Sequence, residues 1–178
     1  MFDKNLLGNN ISDIDKNLLA QTIRKIDLFF AKFGVNIDYD NSRELFENLK
    51  IVDVQGKQNY VVSYDETSNT IKQNFENPDF SPKKYEAELV ESLLSVLSQK
   101  FNFEEDRYDK GLKSKDTNLE SHGTALNKMI KSYIATLITG YNKEESVKDF
   151  YLDSPNDYET IPDRAIHDFC EVFGAEFL

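Results

Sequence analysis

A change of hydrophobic period near residue 80 limits how this chain can fold more than any other feature. Ile51, Val52 and Val54, then Tyr60 to Tyr64, then Thr70 to Phe75 follow strand spacing, separated by Gly56 and by the polar run Asp65 to Asn69. From Ser81 onward the period is helical. At about 100° per residue, Tyr85, Leu89, Val90, Leu93, Leu94, Val96, Leu97 and Phe101 fall on one broad arc, with Glu88, Glu91, Ser92, Ser95, Ser98 and Gln99 on the other. The two periods together predict an α+β fold, mainly helical, with a small three-stranded sheet. The last two strands form a hairpin across the D-E-T-S-N turn.

The remaining segments read as helices. Ser12 with Asp13 and Asp15 supplies a cap and first-turn acids, after which Ile14, Leu18, Ile26, Phe29, Phe30 and Phe33 recur at helical spacing until Gly34. A short second helix spans Arg43 to Lys50, closing an N-terminal helical region 12–50. The sheet occupies 51–75. The helix 81–101 carries Pro82 in its first turn, where the missing N–H removes nothing. A charged connection without sustained period follows at 102–122. Gly123 or Thr124 then opens a helix to 139, whose apolar arc holds Leu126, Met129, Ile130, Tyr133, Ile134, Leu137 and Ile138 and which ends at Gly140. C-terminal helices are expected in 144–174, the last running through Phe169, Cys170 and Phe173. With 178 residues and 39% apolar content, the chain suits a single domain.

Charge and cysteine usage exclude several classes. The formal charge is -11, and Arg occurs only at 24, 43, 107 and 164, too sparse for a surface that displaces counterions from nucleic acid. Solubility explains the acidity. Cys170 stands alone, so no internal disulfide is expected. The opening residues lack a basic region followed by an apolar one, and no apolar run approaches the ~20 residues that cross a bilayer. A cytoplasmic protein without membrane contact is the expectation.

Three segments carry a resemblance. They are Tyr64-Asp65 with Asn69-Thr70-Ile71, then E-L-V-E-S-L-L-S-V-L-S from Glu88 to Ser98, then G-T-A-L-N-K-M-I-K-S-Y-I from Gly123 to Ile134. Over roughly residues 60–140 the chain resembles the compact zincin metallopeptidase domain of bacterial and phage proteins. The resemblance implies a zincin-like helix pair, with a strand leading into an active-site helix and a second helix supplying the third metal ligand. The family's two ligand histidines fall on Glu91 and Ser95, its general-base Glu on Ser92, and its third-ligand Glu on Lys128. A rival register that keeps Glu91 as the base puts Val90 and Leu94, both apolar-arc residues, at the ligand positions.

Neither register supplies a zinc site. Catalytic zinc takes three protein ligands and an open position for water, whereas Ser95 is a neutral hydroxyl and Lys128 a cation. Lys128 could pair with Glu91 or Glu88 across the two helices, one positive charge replacing another. No metal and no cofactor is expected. Were the chain an enzyme, Glu88, Glu91 and His122 would be its acid/base set.

Other clusters carry less. His167 and Cys170 lie one helical turn apart without an orienting partner, and half-buried packing accounts for both. Ser121-His122 with Asp116 or Glu120 lacks a G-x-S-x-G elbow. Asp13-Asp15 and Glu104-Glu105-Asp106 lack the spacing of a calcium loop. The expected function is therefore a non-catalytic, protein-binding or regulatory module with a protein partner. An acidic inhibitor or nucleic-acid mimic is the alternative.

Overall fold

Ser12 begins helix α1 (Asp13–Ala31) by accepting a hydrogen bond from the Asp15 amide at 3.1 Å, while its hydroxyl donates to the Asp15 carboxylate at 2.6 Å. The computed structural model describes residues 2–102, 107–110 and 120–141. Helix α1 buries Leu19, Thr22, Ile23 and Ile26 and ends at Gly34, which takes a positive φ of 73° that costs glycine nothing. Two residues expected in its apolar stripe lie outside it. Ile14 is 81% exposed, being half a helical turn around from Ile23, and Phe33, beyond the helix end, is 43% exposed.

Helix α2 (Arg43–Glu47) is shorter than its apolar spacing suggests. Asn48 stops it: its backbone and side-chain nitrogens both donate to the Glu44 carbonyl, and the chain turns into strand β1 (Lys50–Asp53). Strands β2 (Val62–Asp65) and β3 (Thr70–Gln73) form the expected antiparallel hairpin. Strand β1 pairs with β3 in parallel, so the order is β1-β3-β2, with Ile51 and Tyr64 both opposite the buried Ile71.

The hairpin turn is made by its own side chains. One Asp65 oxygen accepts from the amides of Thr67 and Ser68 at 3.1 and 3.3 Å, and the other meets the Lys72 ammonium at 2.8 Å. Asn69 takes φ 48°, a conformation its short polar side chain tolerates, and donates to the Leu45 carbonyl at 2.8 Å. The loop between β1 and β2 is held by two buried asparagines. Asn74 donates to the Gly56 carbonyl at 3.0 Å, and Asn77 to those of Gln58 and Tyr60 at 2.9 Å.

Ser81 caps helix α3 (Pro82–Leu97) by accepting from the Lys84 amide at 3.1 Å. Helix α3 packs on β2, on α1 and, most extensively, on α4 (Glu120–Thr139). Contact on several sides corrects the expected polar arc: Ser92 and Gln99 are 4% exposed. The helix also stops four residues early. After Leu97 the chain enters strand β4 (Gln99–Asn102), which pairs with β5 (Arg107–Lys110) so that Phe101 lies opposite Tyr108. The expected loop 102–122 thus contains half a hairpin, and α4 starts at Glu120 rather than at Gly123 or Thr124. On α4, Ile134 and Ala135 enter the core with Ile130 and Ile138 packed against it, whereas Tyr133 and Leu137, expected on the apolar arc, are 41% and 50% exposed. The segment 144–174 lies outside the described residues.

A Cβ on Gly8 would stand 2.1 Å from the Glu47 carbonyl oxygen, a backbone atom that cannot swing aside. Gly8→Ala should therefore destabilise the protein by about 1–3 kcal/mol in chemical denaturation. A change within about 0.5 kcal/mol would contradict this close approach.

The Lys72 ammonium, then the Ser68 contacts, lower the Asp65 carboxyl to about 2. A depressed folded-state value stabilises the fold above the unfolded carboxylate range, and that contribution disappears as pH falls from about 4 to about 2. Thermal unfolding of Asp65→Asn should accordingly decline less steeply than wild type over that interval. Parallel curves would remove this role for Asp65.

Candidate functional site

The residues singled out by the resemblance lie on α3 and α4, which pack against each other. Four of them are arranged by local helix geometry. Ser92 is buried, and its hydroxyl donates to the Glu88 carbonyl at 2.8 Å; the Ser95 hydroxyl donates to the Glu91 carbonyl at 3.0 Å. Each serine thus directs its proton to the backbone one turn earlier, a pattern common for hydroxyls inside helices. Glu91 and Ser95 are half-buried, and Lys128 is exposed near the start of α4.

Glu88 has a different task. One of its oxygens accepts from the amides of both Val61 and Val62, each at 2.7 Å. The Val61 carbonyl accepts from the Asn74 amide at 2.7 Å on the β3 side. Because a trans peptide points its carbonyl and N–H in opposite directions, the Val62 N–H faces away from β3, toward the outer edge of the sheet. The carboxylate therefore satisfies edge amides that no neighbouring strand takes up, and it ties α3 to the head of β2.

These side chains do not fit a zinc ion. Zinc requires donors with lone pairs directed at one point, while the two hydroxyls are bonded to their own helix, Glu88 is turned to β2, and Lys128 brings a positive charge. Among the described residues, no group of three or more His, Cys, Asp and Glu is placed to hold a metal ion. The proposed acid/base set is only partly visible. Glu88 is engaged as above, Glu91 lies one turn further along α3, and the His122 side chain lies outside the described residues, as do His167 and Cys170.

The hairpin motif that contributed to the resemblance also has a structural explanation. Tyr64 donates to the Asn69 side chain at 2.8 Å and accepts from Gln99 at 3.1 Å, so the Y-D…N-T-I residues connect the turn, β4 and α2.

Two surface features escaped the sequence reading. A groove of about 370 Å³ between the N-terminal turn and α1 is lined by Phe2, Asp3, Lys4, Asn17, Arg24 and Asp27. Asp27 of that lining accepts from the Tyr39 hydroxyl, and burial, followed by that carboxylate, raises the Tyr39 titration far above the ordinary phenol range. The second feature is a cluster of three rings beside the start of α3, the exposed Phe75 and Phe80 with the half-buried Tyr85. Alternating exposure after a strand could have suggested Phe75. Nothing in the spacing indicates that Phe80 joins it.

Comparison with protein-family models, with curated proteins and with solved structures returns no match. No described helix is long and apolar enough to cross a membrane.

Glu88→Ala leaves two amide groups at the head of β2 without their acceptor. Each unsatisfied amide costs about 1–3 kcal/mol, so the variant should lose stability well beyond a surface substitution. Glu88→Gln, which retains an acceptor oxygen, should recover much of the loss. Equal stability of the two variants in urea denaturation would refute the clamp.

Proposed function

We propose that this protein is a non-catalytic, protein-binding module on a metallopeptidase-like pair of helices. The observation that carries the reading is the engagement of α3's polar side chains. Ser92 and Ser95, where the resemblance places a base and a ligand, bond to their own helix, and Glu88 of the same helix is committed to the amides of Val61 and Val62. Lys128 adds a cation where a dication would be bound, and an ion pair from so exposed a position contributes only ~0.2–1 kcal/mol. The apolar contacts of Ile130, Ile134, Ala135 and Ile138 therefore matter more to the packing of α4.

Protein binding accounts for what the surface retains. Phe75 and Phe80, which pack against each other, are both more than a third exposed, and exposed apolar surface rimmed by polar groups is characteristic of interaction sites.

The test pairs chemistry with capture. Purified protein supplied with equimolar zinc should retain no stoichiometric metal after dialysis and should cleave casein no faster than buffer. Tagged protein at native expression should recover a partner above background. Bound zinc together with chelator-sensitive hydrolysis would overturn the proposal.

A further inference from the structure

We infer that Phe75, Phe80 and Tyr85, with the carboxylates around them, form the docking surface for a basic, Lys- or Arg-bearing segment of a partner protein. This deepens the binding-module reading and rests on it.

The three rings make one continuous platform. Phe75 stacks on Tyr85 with centroids 5.5 Å apart and planes 20° from parallel, and Phe80 tilts against both at 5.8 and 6.1 Å. Phe75 is 52% exposed and Phe80 38% exposed, so aromatic carbon that could have been buried remains in water. The backbone beneath them is fixed. The Glu76 amide donates to the Asn74 side chain at 3.1 Å, the Asp79 amide to the Asn77 side chain at 2.8 Å, and the Phe80 amide to the Asn77 carbonyl at 2.9 Å. Both asparagines are buried and anchored to the loop before β2. From the other side, the Tyr85 hydroxyl donates to the buried Gln73 side chain. Rings held this way lose little freedom on binding, which is the condition under which exposed aromatic surface yields affinity.

Carboxylates flank the platform in sequence and register, alongside Lys83 and Lys84 in the first turn of α3. Glu76 and Asp79 are exposed and adjoin the two phenylalanines in sequence, and Asp53 stands opposite Gln73 in the β1–β3 register. Burial, then the charges of Asp15 and Asp53, push the Tyr85 hydroxyl up to about 12, so both carboxylates act on the ring that joins the trio to the core. Lys84 approaches Asp79 at 3.8 Å. Among the described residues, neither Asp53 nor Glu76 enters an ion pair. A guanidinium or ammonium over a ring face gains from the ring's quadrupole, and a carboxylate at the rim adds direct attraction.

Charge also decides between occupants. The remaining C-terminal segment 142–178 carries ten Asp and Glu against three Lys and Arg, and a second copy of the chain brings a net charge of -11. The first is repelled by an acidic rim, and the second is disfavoured by its net charge although its residues 107–115 carry four Lys and Arg against one Asp. A basic segment is drawn to the rim, and long-range attraction to the acidic protein raises its rate of encounter.

The experiment titrates the full-length, ¹⁵N-labelled chain with a synthetic nonapeptide alternating arginine and glycine, and with the same peptide carrying citrulline for arginine. Saturable shifts should centre on Phe75, Glu76, Phe80 and Tyr85, and the citrulline peptide should produce none. Phe75→Ala with Phe80→Ala should weaken binding about tenfold. Both rings also pack on Tyr85, so the melting temperature of the variant should fall modestly, and binding is read where both chains are folded. Glu76→Lys, which leaves the rings intact, should weaken binding similarly and serves as the second variant.

Shifts spread over acidic residues generally, or equal affinity of the ring variant, would overturn the inference. A native partner captured equally by wild type and the ring variant would also overturn it while leaving the module reading in place. Zinc-dependent hydrolysis would end the module reading without touching the docking surface.

Discussion

Helix α3 is packed against three other elements, and the rest of the structure depends on how its buried polar groups are satisfied. With β2, α1 and α4 all packed against it, seven of its sixteen residues are buried, Ser92 among them. A buried hydroxyl without a partner costs free energy, so Ser92 bonds to the Glu88 carbonyl. Glu88, at the edge of the same narrow polar strip, satisfies the amides of Val61 and Val62. The second bond matters beyond its own strength. Strand β2 lies at an edge of the sheet, and open edge amides invite pairing with other chains. One carboxylate thus fixes the helix on the sheet and occupies an edge donor.

Periodicity made most of this legible, because strong patterns report which faces are buried. The switch from strand to helical spacing located β1, β2, β3 and α3, and the Ser12 and Ser81 caps fixed two helix starts to the residue. Errors arose where burial exceeded one face. A helix packed on several sides must bury some polar residues, and a two-arc reading of α3 cannot distinguish Ser92 and Gln99 from Ser98, which remains exposed. The opposite error occurred on α4. Tyr133 and Leu137 are apolar and correctly spaced, yet helix contacts cover a narrower stripe than the hydrophobic arc.

Short elements were the hardest to read. The β4–β5 hairpin pairs only four residues in each strand, and its residues alternate too briefly to stand out in a charged stretch. Gln99, which follows Leu97 and Ser98 in an apparent helical arc, instead enters a strand with its side chain on the Tyr64 hydroxyl. Such a contact joins positions 35 residues apart, and no local pattern encodes it. The Phe75–Phe80–Tyr85 trio was missed for the same reason. Its rings belong to a strand end, a turn and a helix start, and they meet only because Asn74 and Asn77 fold the intervening chain.

The placement of polar and apolar groups bears on the proposed role. In a hydrolytic site, polar side chains are kept available and aimed at a shared point, and their own stability suffers for it. On α3 the order is reversed: hydroxyls and carboxylate are consumed by the fold, while aromatic carbon is left in water on a rigid support. Stability would favour covering Phe75 and Phe80, since each buried ring is worth about 1.5–3 kcal/mol. Both rings pack on Tyr85 yet leave aromatic carbon in water, and a basic partner segment that covers it is the occupant we propose.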